Sequence, residues 1–330
     1  MAIALAFRIP RKNDPVGKIM TIGGEIDAAA MGKTLIHEHF LVDFIGADKI
    51  NPDRWNRQAV VERVLPFLLE AKKYGVRTVL DCTPAYLGRD VILLEELQKK
   101  SGLNILTNTG FYGAMSNKYL PPISLEAGPE ELASLWISEV VNGIEGTGIR
   151  PGFIKISVDS NDGNGLSSQH KKLVRAAAIT HLKTGLTICS HTGIAKAAFE
   201  ELAILQQQHV APSAFVWVHA QAEKDREQHI AAAKMGCWVS LDGIGWGDFD
   251  EYAISIANLK HQQLLDRVLI SHDAGWYRPG EPKGGEFRGF TNIFTELFPR
   301  LKKKGFTDAD FNQLLVKNPA AAFTGRVRPA

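Results

Sequence analysis

Short apolar runs, rich in β-branched residues, alternate along this chain with longer stretches in which apolar positions recur every three or four residues. The first pattern is that of buried strands, the second that of amphipathic helices. Eight runs read as strands: Thr34–His39, Thr78–Cys82, Asn104–Thr109, Gly152–Val158, Thr187–His191, Phe215–His219, Trp238–Asp242 and Val268–Asp273. Eight stretches read as helices: Arg57–Tyr74, Val91–Lys100, Pro129–Gly143, Ser168–Thr184, Ile194–His209, Glu223–Met235, Tyr252–His261 and Thr291–Lys304. Glycine stop signals end two of them, at Tyr74-Gly75 and Thr184-Gly185. Pro66 falls inside the first helix and is expected to kink or split it. Eight strand–helix units predict the α/β class: a (β/α)₈ TIM barrel forming a single domain over residues 1–330. A doubly wound open sheet is the alternative, but it normally brings a glycine-rich phosphate turn, and none follows the first strand. Residues 1–33 read as a short N-terminal β extension, with Gly17–Ile26 as a hairpin.

Composition narrows the function classes. The 330 residues are 45% hydrophobic and 22% charged, with a net charge of +2, an ordinary globular balance. There is no basic run to suggest nucleic acid, and no apolar stretch approaches the roughly 18 residues of a membrane span. The start, Met1 to Arg8, lacks a basic region and is too short for a signal peptide. Cys82, Cys189 and Cys237 lie in apolar runs, an odd and sparse set expected to be buried and reduced. A cytoplasmic setting is the expectation, with an exported form left open. Trp136 and Phe294 are candidates for a homodimer surface, core packing being the alternative.

The candidate chemistry sits at strand ends. His37 and His39 are two apart, so in a strand both imidazoles share one face. Lys155, His191, His219 and Asp273 lie in or at the ends of other strand runs, and a barrel gathers such residues at its C-terminal mouth. Imidazole and carboxylate suit Zn, Co, Mn or Fe. Each residue also has a plain structural reading: His191 and His219 as hydrogen-bonded core or capping residues, Asp273 as a cap. Lys155 lies in the apolar run Phe153-Ile154-Lys155-Ile156, where an ammonium is costly unless paired. Either a carboxylate pairs with it, or its amine has captured carbon dioxide as a carbamate, an anion able to bridge two metals.

Several segments together resemble the phosphotriesterase family of the amidohydrolase superfamily. They are Gly32-Lys33-Thr34-Leu35-Ile36-His37-Glu38-His39, Gly75-Val76-Arg77-Thr78-Val79-Leu80-Asp81, Gly88-Arg89-Asp90-Val91, Gly152-Phe153-Ile154-Lys155, Val218-His219-Ala220-Gln221, Ser240-Leu241-Asp242-Gly243 and Ile270-Ser271-His272-Asp273. The resemblance runs from about Gly17 to Phe323. It implies a centre of two divalent metal ions, zinc foremost. His37, His39 and Asp273 would hold the buried ion and His191 and His219 the exposed one, with carboxylated Lys155 and a hydroxide between them. Asp273 would accept the proton of the nucleophile, and His219 or His272 would pass it outward. Tyr112 matches the tyrosine that lactonase-like members keep near the hydroxide. Gly243 stands where members often carry a basic residue, and Trp217 is unusually bulky. The implied function is hydrolysis of a small-molecule ester, a lactone or carboxylic ester, with phosphotriesters as weaker substrates. Hydrolysis of phosphorylated sugar lactones is the alternative, with Lys118, Arg226, Lys283 and Arg288 as phosphate-binding candidates. A mononuclear deaminase would need a glutamate where Ile194 stands, and no extra module supports a non-enzymatic metal-binding protein. The segment Trp276–Phe290 reads as a binding loop over the mouth.

Overall fold

A computed structural model describes residues 17–159 and 165–330. The expected extension is present from residue 17 on: β1 (Lys18–Thr21) and β2 (Gly24–Asp27) pair antiparallel, with Lys18 opposite Asp27. Its part before residue 17, with the signal-peptide question, lies outside the described residues. After it, strands and helices alternate: β3 (Lys33–Leu41), α1 (Arg57–Lys73), β4 (Val76–Asp81), α2 (Val91–Ser101), β5 (Asn104–Leu106), β6 (Asn108–Thr109), α3 (Pro122–Glu126), α4 (Pro129–Asn142), β7 (Phe153–Ser157) and α5 (Ser168–Thr184). There follow β8 (Ile188–His191), α6 (Ala195–Gln207), β9 (Phe215–Val218), α7 (Arg226–Lys234), β10 (Trp238–Leu241), α8 (Phe249–His261), β11 (Val268–Ile270) and β12 (Gly275–Tyr277). The chain ends through α9 (Phe298–Lys303), α10 (Asp308–Asn312) and α11 (Asn318–Phe323).

Parallel ladders run β6-β7-β8-β9-β10-β11 and β5-β4-β3-β12. β5 and β6 are halves of one strand interrupted at Thr107. On the other side, Asp273 donates its main-chain N–H to His37 O at 3.0 Å and His39 to Ala274 O at 2.8 Å. These links close an α/β barrel. Closure explains why eight of the nine residues of β3 are buried: both faces are covered. Period-two alternation sends Ile36, Leu80, Leu106, Phe153 and Cys189 into the barrel interior, while Leu35, Val79, Ile105, Ile154 and Ile188 meet the helices. Ile19 of the hairpin and Phe323 of α11 join the interior cluster.

Some expectations give way. Pro66 does not split the first helix: α1 is continuous. Proline removes one backbone donor, and the buried stripe Val60, Val64, Leu68 and Ala71 holds the helix to the sheet. The eighth strand stops at Ile270, and β12 takes in the first two residues of the segment expected to be a loop. The last expected helix starts instead with a wide π turn, Ile293–Leu297. Trp136 is buried and packs edge-on against Phe111, so it offers no dimer surface. Phe294 is half-buried and stacks on Tyr74. The three cysteines are buried and free. Among the described residues no helix is long and apolar enough to cross a membrane.

Candidate active site

The strand ends bring His37, His39, Lys155, His191, His219, Asp273 and Tyr112 around one cavity of about 60 Å³. His37 and His39 project from the same face of β3, and their Nε2 atoms lie 3.2 Å apart. Asp273 Oδ1 is 3.1 Å from His39 Nε2 and 3.6 Å from His37 Nε2. The His191 and His219 rings meet edge to face at 4.5 Å, and His219 lies 5.0 Å from His37. His219 and Asp273 both have left-handed backbone, φ 62° and 50°, a strain that surrounding structure must maintain.

The far side of each ring fixes which nitrogen faces the cavity. His39 Nδ1 donates to Thr83 Oγ1 at 2.8 Å, because that hydroxyl is itself committed to Leu41 O. Asp242 accepts from His37 Nδ1 at 3.2 Å and His219 Nδ1 at 2.8 Å. His37 Nε2, His39 Nε2 and Asp273 Oδ1 therefore converge as lone-pair acceptors with no hydrogen between them. That arrangement repels itself and fits a divalent cation. His37, His219 and Asp242 form a second group of converging donors. Asp242 already accepts hydrogen bonds there from His37, the His219 ring and main chain, Ser240 and Gln221, so its role is to orient.

Charge distribution agrees. Burial, and secondarily Lys155, pushes His37 down to about 3, and burial with the neighbouring His219 pushes His191 well below its ordinary value. Both rings are neutral and able to donate a lone pair. Burial opposes ionisation of Asp273, yet the surrounding histidines, His39, His37 and His219, hold its carboxyl below the usual range. For His219, burial is outweighed by Asp242, which raises it. Lys155 is 1% exposed, with Nζ 3.4 Å from His37 Nε2. Among the described residues it forms no salt bridge, so the carboxylate partner that would make it a plain structural lysine is missing.

The rim is aromatic and apolar: Val42, Phe44, Leu87, Tyr112 and Trp276 line the cavity. Tyr112 Oη lies 3.2 Å from His191 Nδ1, and burial raises its pKa, so it stays a phenol. Trp276 belongs to β12, so the expected loop contributes to the wall through a strand. Other candidates fall away. His272 does not face the mouth: Nδ1 is 2.7 Å from Glu38 Oε1, and Nε2 accepts from Ile293 N. Arg226 opens α7 and pairs with Glu251, Lys118 donates to Phe44 O, and Arg288 stacks on Trp246. None of these three, nor Lys283, lines the cavity. Trp217 is fully buried, with its Nε1 donating to Gly193 O. At Gly243 a Cβ would come within 2.6 Å of Gln221 Nε2 and 2.8 Å of Tyr252 Oη. Glycine there lets Gln221 clip Asp242, accepting its N–H at 3.2 Å.

Asp242, Thr83 and Glu38 are the working residues that strand-end reasoning passed over. Asp242 carried a usable signal, ending its apolar run as His191 ends its own. Glu38 points away from its two histidines by strand alternation. It accepts from Ser271 Oγ, His272 N and Ala274 N around Asp273.

The geometry can be set beside known proteins. The chain resembles the "Phosphotriesterase homology protein" of Escherichia coli (strain K12), with 28% identity over 88% of this chain and 98% of that protein. It is also 28% identical to an "Aryldialkylphosphatase" of Saccharolobus solfataricus, over 91% and 97% of the two chains. An "N-acetyltaurine hydrolase" of Danio rerio is 24% identical over 92% and 97%. The model of the phosphotriesterase family matches residues 17–323, from the hairpin to α11, and on that match the chain belongs to the phosphotriesterase family and is one of its hydrolytic enzymes.

Proposed function

We propose that the protein is a binuclear-metal-dependent hydrolase of esters, acting best on a lactone or carboxylic ester. The observation that supports metal dependence is the convergence of three acceptors, His37 Nε2, His39 Nε2 and Asp273 Oδ1, beside a buried lysine without a carboxylate partner. In this reading His37, His39 and Asp273 would hold one ion and His191 and His219 the other, and Lys155, as a carbamate, would supply a further anionic ligand. Zinc suits this donor set best, with cobalt, manganese or iron able to replace it. Such ions would supply polarisation of the substrate oxygen and a water acidic enough to attack near neutral pH. Asp273, held ionised, takes the proton of the attacking water. With His272 turned away, the dyad of His219 and Asp242 is the titratable pair beside it. Tyr112 supplies a neutral hydroxyl beside His191, placed to contact the ring oxygen of a lactone.

The rim favours the acyl reading. A planar carbonyl with one apolar arm suits a small chamber walled by Val42, Phe44, Leu87 and Trp276 better than a phosphoryl centre with three substituents. Of the cations that would recognise a phosphorylated lactone, Arg226, Lys118 and Arg288 are engaged elsewhere, and Lys283 does not line the cavity. The relatives named aryldialkylphosphatase and N-acetyltaurine hydrolase mark the range of bonds to be compared.

The test is a panel of lactones, aryl esters, phosphotriesters and phosphorylated sugar lactones given to metal-loaded protein. The highest kcat/KM is expected for lactones or carboxylic esters. A phosphotriester preferred by several orders of magnitude overturns the substrate class. Lys155→Ala should lose metal and activity together and regain part of both on addition of a short carboxylic acid. Full activity without rescue overturns this ligand role.

A further inference from the structure

Trp246 is 52% exposed, yet its ring is held on two sides. The Arg288 guanidinium lies 3.7 Å from its centroid and the Trp276 ring at 5.4 Å. Its Nε1–H donates to the main-chain oxygen of Asp273 at 2.8 Å. Burial does not hold an indole this exposed; the hydrogen bond and the cation–π stack do.

We propose that Trp246 is a positioning residue for Asp273, the clasp that holds the peptide of the site's carboxylate in its left-handed conformation. The inference rests on the reading of Asp273 as metal ligand and proton acceptor. Asp273 has φ 50°, which a residue with a Cβ adopts at a cost. Both polar groups of its backbone are tied: the N–H to His37 O in β3, and the oxygen to Trp246. The turn that carries Trp246 is fixed to the same segment. Ile244 N donates to Ser271 O at 3.1 Å, and Trp246 N to Gly243 O at 2.9 Å. Arg288 ties the other side, donating its main-chain N–H to Gly275 O at 3.0 Å. Gly245 makes the stack possible: at φ 107°, a Cβ there would stand 2.9 Å from an Arg288 guanidinium nitrogen and 2.5 Å from Asn292 Nδ2. The loop after β10 thus grips the peptide after β11 from the solvent side, while β3 grips it from within. If the outer grip is lost, the peptide oxygen is free to rotate, and Oδ1 drifts from His39 Nε2. Displacements near 1 Å in such a site cost about a hundredfold in rate.

Two variants separate the contacts. Trp246→Phe keeps an aromatic face and removes the N–H; Arg288→Met keeps the N–H and removes the stacked cation. Amide exchange of the 271–276 segment is measured by mass spectrometry in metal-free protein. Visible spectra of the cobalt(II)-loaded protein, and kcat and KM on an aryl ester or lactone, complete the set. Trp246→Phe is expected to speed exchange in 271–276 at least tenfold while the rest of the chain is unchanged. It should take up the same amount of cobalt with shifted absorption bands, and lose ten- to a hundredfold in kcat with KM within twofold. Arg288→Met should move each readout the same way by less. Wild-type exchange and cobalt spectrum in Trp246→Phe overturn the clasp, as does faster exchange spread over the whole chain. Wild-type protein that takes up no cobalt overturns the metal reading instead, and the exchange measurement then decides the clasp alone.

Discussion

Asp242 shows how one side chain can set the chemistry of two others. By accepting from Nδ1 of both His37 and His219, it turns both Nε2 lone pairs toward the cavity. Burial opposes its ionisation, but His219 and His37 hold its pKa well below the ordinary value, so it remains a carboxylate with acceptors only. Asn at this position brings an amide NH₂ into a site surrounded by donors. One imidazole must then change tautomer and present a hydrogen to the cavity. Asp242→Asn is expected to weaken metal binding about 10- to 100-fold, as loss of such an orienting partner commonly does. Competition titration against a chelator measures it, and unchanged affinity would remove Asp242 from the site. In the proposed reading Tyr112 acts on the substrate side. Its phenol lies beside His191 and stays protonated, so Tyr112→Phe removes one hydrogen bond with little change of shape. Lactone turnover should fall about tenfold to a hundredfold, roughly 1.4–2.7 kcal/mol of transition-state binding. Unchanged lactone kinetics would leave the tyrosine without this role.

Elements differ in how openly the sequence announces them. β7 and β8 are short, largely apolar runs with one basic residue each, and Lys155 and His191 stand out for that reason. β12 is three residues long, begins with glycine and follows a left-handed Asp273, so no periodicity can reveal it. The break at Thr107, the five-residue α3 and the π turn at Ile293–Leu297 are equally local events decided by packing. The ligand-type residues were legible because they lie in apolar strand runs or just after them. Their orienting partners were not, because Thr83 and Glu38 act across strands whose register appears only in three dimensions. The β8–α6 unit carries a testable consequence of such packing. Glu201 of α6 is wholly buried, with its carboxyl oxygens 2.5 Å from Ser190 Oγ and from Thr192 Oγ1. Burial pushes its pKa up to about 8 from an ordinary 4.5, the two hydroxyls opposing. Between those values the folded chain keeps a proton that the unfolded chain releases, so the fold loses stability as pH rises from about 4.5 to 8. The loss is at most about 1.4 kcal/mol per pH unit. Glu201→Gln stays neutral throughout. Melting points at pH 5, 6.5 and 8 should therefore fall faster for wild type than for the variant, and parallel curves would show that Glu201 does not carry the proton.

At the scale of the molecule, the site is a set of contacts between units far apart in the chain. His37 and Asp273 belong to the first and last barrel units, yet their donor atoms lie 3.6 Å apart, and Lys155, His191 and His219 come from three units between. The interior below them is apolar and closed by Ile19 and Phe323, so the barrel folds around its own core. The mouth is different: its converging acceptors repel one another, and in the proposed reading a cation relieves that repulsion. Metal binding to the folded chain alone then adds stability in proportion to the logarithm of its free concentration over Kd, about 4.1 kcal/mol at a thousandfold excess. For a chain of this length the entropy of unfolding is about 0.7 kcal/mol per degree. Stripping the metal with a chelator is therefore expected to lower the melting point by about 6 °C, and restoring zinc or cobalt should recover it. Lys155→Ala supplies the control, since a chain without the proposed lysine ligand should melt at the same temperature with and without chelator. A wild-type melting point indifferent to chelation, in protein shown to have carried metal beforehand, would mean that the donors from these five units are held in place by the barrel alone.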